Sequence, residues 1–175
     1  MPAADPPAPE PDWYDTQSSR SVPPDQLRDF LRDCFGVADA ELFVGHCDRL
    51  DEEMRDVPPG TGFAVFCTYE ETGGDFAMGF SVSVDRQFAA RVDRLEFARR
   101  FAARFDAYVF HGHDEPEPWL WTVVLPDGTR LFATIADEEL TRLERVSGPV
   151  PQLPGLVVDP RLGPPRYGRW SPDDE

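Results

Sequence analysis

Residues 63–85 read FAVFCTYEETGGDFAMGFSVSVD, and this stretch decides the predicted fold. Apolar and polar side chains alternate on both sides of Gly73 and Gly74, which is the pattern of two antiparallel strands joined by a turn. One face of the second strand carries large apolar side chains, namely Phe76, Met78, Phe80, Val82 and Val84. The other face carries only Ala77, Gly79, Ser81 and Ser83. We expect this face of small residues to lie against solvent or against a partner.

The same periodicity argument predicts elements on both sides of this hairpin. Apolar residues at helical spacing predict helices over residues 24–36 and 91–105, and Asp137 is predicted to cap a last helix over 137–146, with Leu140, Leu143 and Val146 facing inward. Short strands are predicted at 41–47 and 107–113, and a second hairpin over 119–135 turns at Pro126, Asp127 and Gly128.

This order of elements predicts an α+β fold. Strands linked mainly by hairpins favour a mostly antiparallel sheet of about five to six strands, with helices packed on one face as a two-layer sandwich. Seven prolines lie in residues 1–24 and seven more in 147–175. We therefore predict a Pro-rich disordered or extended arm at 1–21, a single domain at 22–147 and a Pro-rich C-terminal arm at 148–175.

The charge of the chain restricts its partners. There are 33 acidic residues against 17 basic ones, all arginine, for a formal net charge of -16. Nucleic acid and anionic membranes are therefore excluded as partners, whereas a protein with a basic surface is favoured. The chain begins without a signal-peptide pattern and has no apolar run long enough to span a bilayer. Three cysteines without CxxC spacing fit a reducing compartment, so we expect a cytoplasmic protein.

Residues 110–121, FHGHDEPEPWLW, contain the first candidate site. His111 and His113 alternate on a predicted strand, so both side chains point the same way and suit one metal ion. Asp114 or Glu115, with His46 or Cys47 from elsewhere, would complete the ligands. Two histidines alone are fewer ligands than a zinc site normally shows, so a polar strand end is the favoured interpretation and no cofactor is predicted. A metal-dependent enzyme that uses His111 and His113 stays as an alternative.

The pair His46 and Cys47 is a second candidate, for nucleophilic catalysis. Neighbouring residues on a strand point to opposite faces, and acidic neighbours raise a thiol pKa, so Cys47 is predicted to be a small buried side chain. The chain also lacks the phosphate-binding, serine-hydrolase and kinase motifs. These observations favour binding over catalysis.

The third candidate is a surface that combines acids with aromatic side chains. Its predicted residues are Asp114, Glu115, Glu117, Trp119 and Trp121, together with Glu52 and Glu53. Aromatic anchors with a charged rim are typical of protein interfaces, in which the anchors give affinity and the charges steer association. The simpler alternative is that the acids only keep the surface soluble.

We therefore predict a non-catalytic, acidic protein-binding module. A single domain, strong negative charge and aromatic residues beside acids are typical of bacterial immunity or inhibitor proteins, which neutralise a toxin or effector by direct binding. A secretion-chaperone-like adaptor is the related alternative, and it would use a sheet face and form a homodimer.

Overall fold

The computed structural model describes residues 11–112, 119–137 and 141–163. This part of the chain is a mixed α/β protein with one large sheet of nine strands, which replaces the predicted five to six. The strands are β1 (Asp12–Ser18), β2 (Leu42–His46), β3 (Val65–Glu71), β4 (Met78–Val84), β5 (Val109–His111), β6 (Trp121–Val124), β7 (Arg130–Asp137), β8 (Arg142–Val146) and β9 (Val157–Val158).

Four α-helices accompany the sheet in these residues, besides short 3-10 helices at Asp39–Glu41 and Cys47–Arg49. They are α1 (Pro24–Phe35), α2 (Leu50–Glu53), α3 (Arg86–Ala89) and α4 (Arg94–Phe105). Helix α1 ends at Gly36, whose φ of 67° is the left-handed conformation that glycine tolerates best. Helix α4 begins after Asp93, whose side chain accepts a hydrogen bond from Glu96 N at 2.8 Å. Both long helices lie where the sequence predicts them.

The strands lie in the order β2-β3-β4-β1-β5-β6-β7-β8-β9. The predicted hairpins β3–β4 and β6–β7 are present, and only the outer pairs β2–β3 and β8–β9 are parallel. Strand β1 lies in the middle of the sheet, antiparallel to both β4 and β5. Residues 12–18 and 157–158, which the sequence predicts to lie in Pro-rich arms, form strands of the sheet.

The last predicted helix, 137–146, is wrong where the structure describes it, because residues 142–146 form strand β8. The register against β7 shifts between Thr134 and Ile135, so that Glu144 is an extra residue on β8. This β-bulge brings Leu143 and Val146, which are three residues apart, to the same side of a strand. Residues three apart also share one face of a helix, which is why the sequence pattern predicted a helix here. Leu140 lies outside the described residues.

The sheet has a hydrophobic core on each of its two faces. Helices α1 and α4 cover the first core, which includes Phe30, Phe35, Phe97 and Phe101 from the helices and Tyr14, Val65, Val82 and Val109 from the sheet. The second core includes Phe76, Phe110, Val123, Ala133, Leu143, Val146 and Val150. Since neighbouring residues such as Val109 and Phe110 belong to different cores, the two cores lie on opposite faces of the sheet. We call the side of α1 and α4 the helix face, and the other the open face.

Among the described residues, none of the helices has the length and apolar character needed to cross a membrane.

Candidate functional site

A groove of about 670 Å³ lies on the open face, where β1, β3 and β4 meet β5 and β6. Helices α1 and α4 cover β1, β3 and β4 on the helix face, and the second core begins at Phe110 on β5. The open face of β4 therefore forms the floor of the groove. This floor is made of Gly79 and Ser81, two of the small residues that the sequence places on one face of the strand.

Gly79 is the point at which three side chains converge. A Cβ atom built on Gly79 would lie 3.0 Å from Thr72 Cγ2 and 4.0 Å from both Gln17 Cγ and Glu70 Cγ. Gln17 and Glu70 flank Gly79 because they are its register partners on β1 and β3. Because Gly79 has no side chain, Thr72 can approach the backbone of β4 closely between Gln17 and Glu70.

The amide nitrogen of Gln17 makes a hydrogen bond, whereas its amide oxygen makes none among the described residues. Gln17 Nε2 donates to Thr141 Oγ1 at 3.0 Å, whereas the buried Oε1 has no hydrogen-bond partner among the described residues. Thr141 adopts a φ of 40°, an uncommon conformation for a β-branched residue. Its carbonyl oxygen also accepts a hydrogen bond from Asp75 N at 3.3 Å. The hydrogen bond to Thr141 therefore holds the Gln17 side chain in place, with its amide oxygen buried.

Two carboxylates add negative charge to the same groove. Asp15 lies two residues before Gln17 on the same face of β1, and Asp15 Oδ1 accepts a hydrogen bond from Ser81 Oγ at 2.5 Å. Glu70 is exposed on β3. Within the described parts of the chain, the ion pairs of arginine involve other acids than these two. The described lining of the groove thus contains two carboxylates and no arginine.

An aromatic wall closes the side of the groove opposite β3. Phe110 and Trp121 stack with ring centroids 4.8 Å apart and an interplanar angle of 21°. Phe76 packs against Phe110 from the second core, at 5.3 Å between centroids. Phe110 is buried and Trp121 is half-buried. Part of the apolar indole is therefore exposed in the groove, and Phe110 supports it by stacking.

Of the two predicted metal residues, the structure describes only His111. His111 is buried on β5, where its register partners are Thr16 and Thr122, and its Nδ1 donates to Gly112 O at 2.7 Å. His113 lies outside the described residues. Among the residues that the structure describes, no three His, Cys, Asp or Glu side chains lie close enough together to hold a metal ion.

The predicted partner-binding residues fall into three groups. Trp119 is 60% exposed, and Trp121 belongs to the groove wall. Glu52 is exposed on α2, whereas the Glu53 carboxylate accepts a hydrogen bond from His46 N at 3.1 Å and pairs with Arg49 at 3.6 Å. Glu53 therefore holds α2 against the end of β2.

The third group, Asp114, Glu115 and Glu117, lies outside the described residues. In the sequence, these acids belong to the segment that joins Gly112 to Trp119. Gly112 lines the groove, and Trp119 lies two residues before the groove residue Trp121.

Cys47 is exposed, which corrects the prediction that it is buried. It follows the end of β2 and lines the groove. The neighbouring imidazole of His46 is occupied at both nitrogens: Nδ1 accepts from Asp48 N at 3.1 Å, and Nε2 donates to Glu71 Oε2 at 2.8 Å. The hydrogen bond from His46 lowers the pKa of the Glu71 carboxyl. Neither nitrogen of His46 is therefore available to take a proton from the Cys47 thiol.

Sequence reasoning missed Asp15, Gln17 and Glu70 as groove residues. Asp15 and Gln17 lie on β1, which was assigned to a Pro-rich arm, although their alternation with Tyr14 and Thr16 was a signal of a half-buried strand. Glu70 is part of the predicted hairpin, but sequence alone does not show which strands flank its face. The link between β1 and the other strands is a tertiary contact.

Comparison with known proteins gives no matching family model, no matching curated protein and no matching solved structure.

Proposed function

We propose that this chain is a cytoplasmic, non-catalytic protein-binding module of the immunity or inhibitor kind, which neutralises a basic toxin or effector by direct binding. The observation that carries the proposal is the groove on the open face, which is lined both by the carboxylates of Asp15 and Glu70 and by the aromatic wall of Phe110 and Trp121. This combination of charge and rigid apolar area suits specific recognition of a basic protein.

The net charge of -16 supports the same proposal. Acids on a binding surface accelerate the encounter with a basic partner, because the attraction acts before contact is made. Glu115 and Glu117 lie in the sequence between Gly112 of the groove and the exposed Trp119. We therefore expect these two acids to steer the partner toward the groove.

The first experiment tests whether a partner exists. The full chain is produced together with the product of the neighbouring gene, and the mixture is separated by size-exclusion chromatography. We expect the two proteins to elute as one complex, and we expect the chain to abolish the toxic activity of its partner. Separate elution together with unchanged toxicity would contradict the proposal for that gene pair.

The second experiment tests the charge. The double change Glu115→Arg and Glu117→Arg should slow association about tenfold or more at low salt and change dissociation little, because the acids act mainly by long-range steering. The matched control is Asp25→Arg with Asp33→Arg, which alters the charge equally on two exposed acids of α1, on the helix face. Stopped-flow kinetics at several ionic strengths measures both variants. An association rate of the native chain that does not depend on salt would show that the acids only provide solubility.

A further inference from the structure

We infer that the groove binds an arginine side chain of the partner protein, an inference that rests on the proposed protein-binding function. The exposed acceptors of the groove favour a ligand that donates hydrogen bonds. They are the carboxylates of Asp15 on β1 and Glu70 on β3, which both line the groove. A charged donor makes a stronger hydrogen bond to a carboxylate than a neutral one.

The charge of the groove requires that this donor be a cation. Asp15 and Glu70 supply two carboxylates, and no arginine of the described residues neutralises them. Since Asp15 and Gln17 point to the same face of β1, a cation above Gln17 also lies beside Asp15. A cationic side chain that enters the groove thus gains the attraction of both carboxylates.

The shape of the groove favours arginine over lysine. The stacked rings of Phe110 and Trp121 give one side of the groove a flat wall, and Gly79 and Ser81 give it a floor of small residues. A guanidinium group is planar, stacks on aromatic rings and carries five N–H donors in its plane, whereas an ammonium group is compact and more strongly hydrated. A guanidinium can stack on an aromatic ring and donate to a carboxylate at the same time, which suits this groove better than an ammonium group does.

The groove is tested directly with a short peptide. The full ¹⁵N-labelled chain is titrated with acetyl-Gly-Arg-Gly-amide, and the shifts of the backbone amides are followed by NMR. We expect the largest shifts at Gln17, Glu70, Gly79 and Trp121. The citrulline peptide, which has nearly the same shape and no charge, should bind about tenfold more weakly. The lysine peptide should bind about fivefold more weakly than the arginine peptide.

Two variants test the groove from different directions. Glu70→Gln removes one negative charge and should weaken binding of the arginine peptide about tenfold. Gly79→Val fills the floor against Thr72 and should block binding by volume. The matched control is Asp25→Asn on the helix face, for which we expect unchanged binding. Thermal unfolding of each variant shows that it is folded, and if Gly79→Val does not fold, Glu70→Gln and Asp15→Asn carry the test.

Cys47 gives an independent readout, because its exposed thiol lines the groove. The arginine peptide should slow the reaction of Cys47 with a thiol reagent, and the citrulline peptide should not. Equal shifts with all three peptides, or shifts spread over the whole acidic surface, would overturn the inference.

The result for the groove can be separated from the result for the proposed function. A partner that binds Glu70→Gln and Gly79→Val as tightly as the native chain leaves the binding function standing and overturns the arginine site. If the chain instead binds the arginine peptide but not the candidate partner, the site stands and that partner is excluded.

Discussion

At the scale of single residues, Tyr14 joins the central strand to the helix layer. Its hydroxyl donates to Val92 O at 2.7 Å, and its ring packs against Phe35 and Phe97 at 5.4 and 5.1 Å between centroids. Burial raises the pKa of the Tyr14 phenol to about 12, with nearby Asp12 adding to the effect. The folded protein therefore needs this group protonated.

This requirement predicts a loss of stability in alkaline solution. Below pH 10 Tyr14 is protonated in both states, whereas above pH 10 the unfolded chain releases the proton more readily, so stability falls as pH rises toward the folded pKa of about 12. Tyr14→Phe should cost about 1 kcal/mol at neutral pH through the lost hydrogen bond. It should also make the fall in stability above pH 10 shallower, as measured by urea unfolding at each pH.

Tyr108 is the comparison, because burial also raises the pKa of its phenol to about 12. Tyr108→Phe should therefore flatten the profile in the same way. A profile of unchanged slope in both variants would contradict the prediction.

At the scale of elements, the contact of α2 with β2 depends on one glycine. Gly45 is buried in β2, and a Cβ atom at this position would lie 2.6 Å from Glu53 Oε2 and 2.7 Å from Phe43 Cε1. Glu53 is also the residue whose carboxylate accepts from His46 N. A side chain at residue 45 would therefore force the Glu53 carboxylate and the Phe43 ring to move.

Gly45→Ala should destabilise the protein by about 1–3 kcal/mol, because the added methyl group overpacks the contact. The control is Gly62→Ala, since a Cβ atom at Gly62 meets nothing within 4 Å, and the change should stay within about 0.5 kcal/mol. Urea unfolding of the two variants measures the difference. Equal stability of both would show that α2 moves away from β2 at little cost.

The elements that sequence reasoning found share a strong local pattern. The hairpin β3–β4 and helices α1 and α4 bury side chains at the spacing of their own structure, so period alone predicts them. Strand β1 was missed because it is rich in polar residues, and its inward positions are Tyr14, Thr16 and Ser18. Strand β8 was mistaken for a helix because of its bulge. In both cases the pairing with distant strands decides the structure, and one sequence does not reveal that pairing.

The residues of the candidate site also divide into those that local patterns predict and those that depend on distant strand pairing. The small residues of β4 and Trp121 could be found from alternation, because each belongs to a locally predicted strand. The acceptors Asp15 and Gln17 could not, since their place beside Gly79 depends on β1 inserting between β4 and β5. The groove thus depends on the order of the strands in the sheet. The periodicity of a sequence predicts single strands but not their order.

At the scale of the whole molecule, β1 connects the two halves of the sheet. It pairs with β4 over seven residues and with β5 over three, and β5 contributes Val109 to the first core and Phe110 to the second. Without β1, the hydrogen-bonding edges of β4 and β5 are both exposed, and the first core loses Tyr14. The two cores therefore depend on a strand that lies close to the N-terminus.

Truncation tests this dependence directly. A chain that begins at residue 11 retains every strand described above, and we expect it to unfold cooperatively near the temperature of the full chain. A chain that begins at residue 22, the domain boundary that the sequence suggested, lacks β1 and should be unfolded or aggregated, since two unpaired sheet edges favour association. Circular dichroism and size-exclusion chromatography compare the two. A monomeric chain 22–175 with native helix content and a cooperative transition would show that the two halves hold together without β1. In that case, the groove would lose Asp15 and Gln17 without loss of the fold.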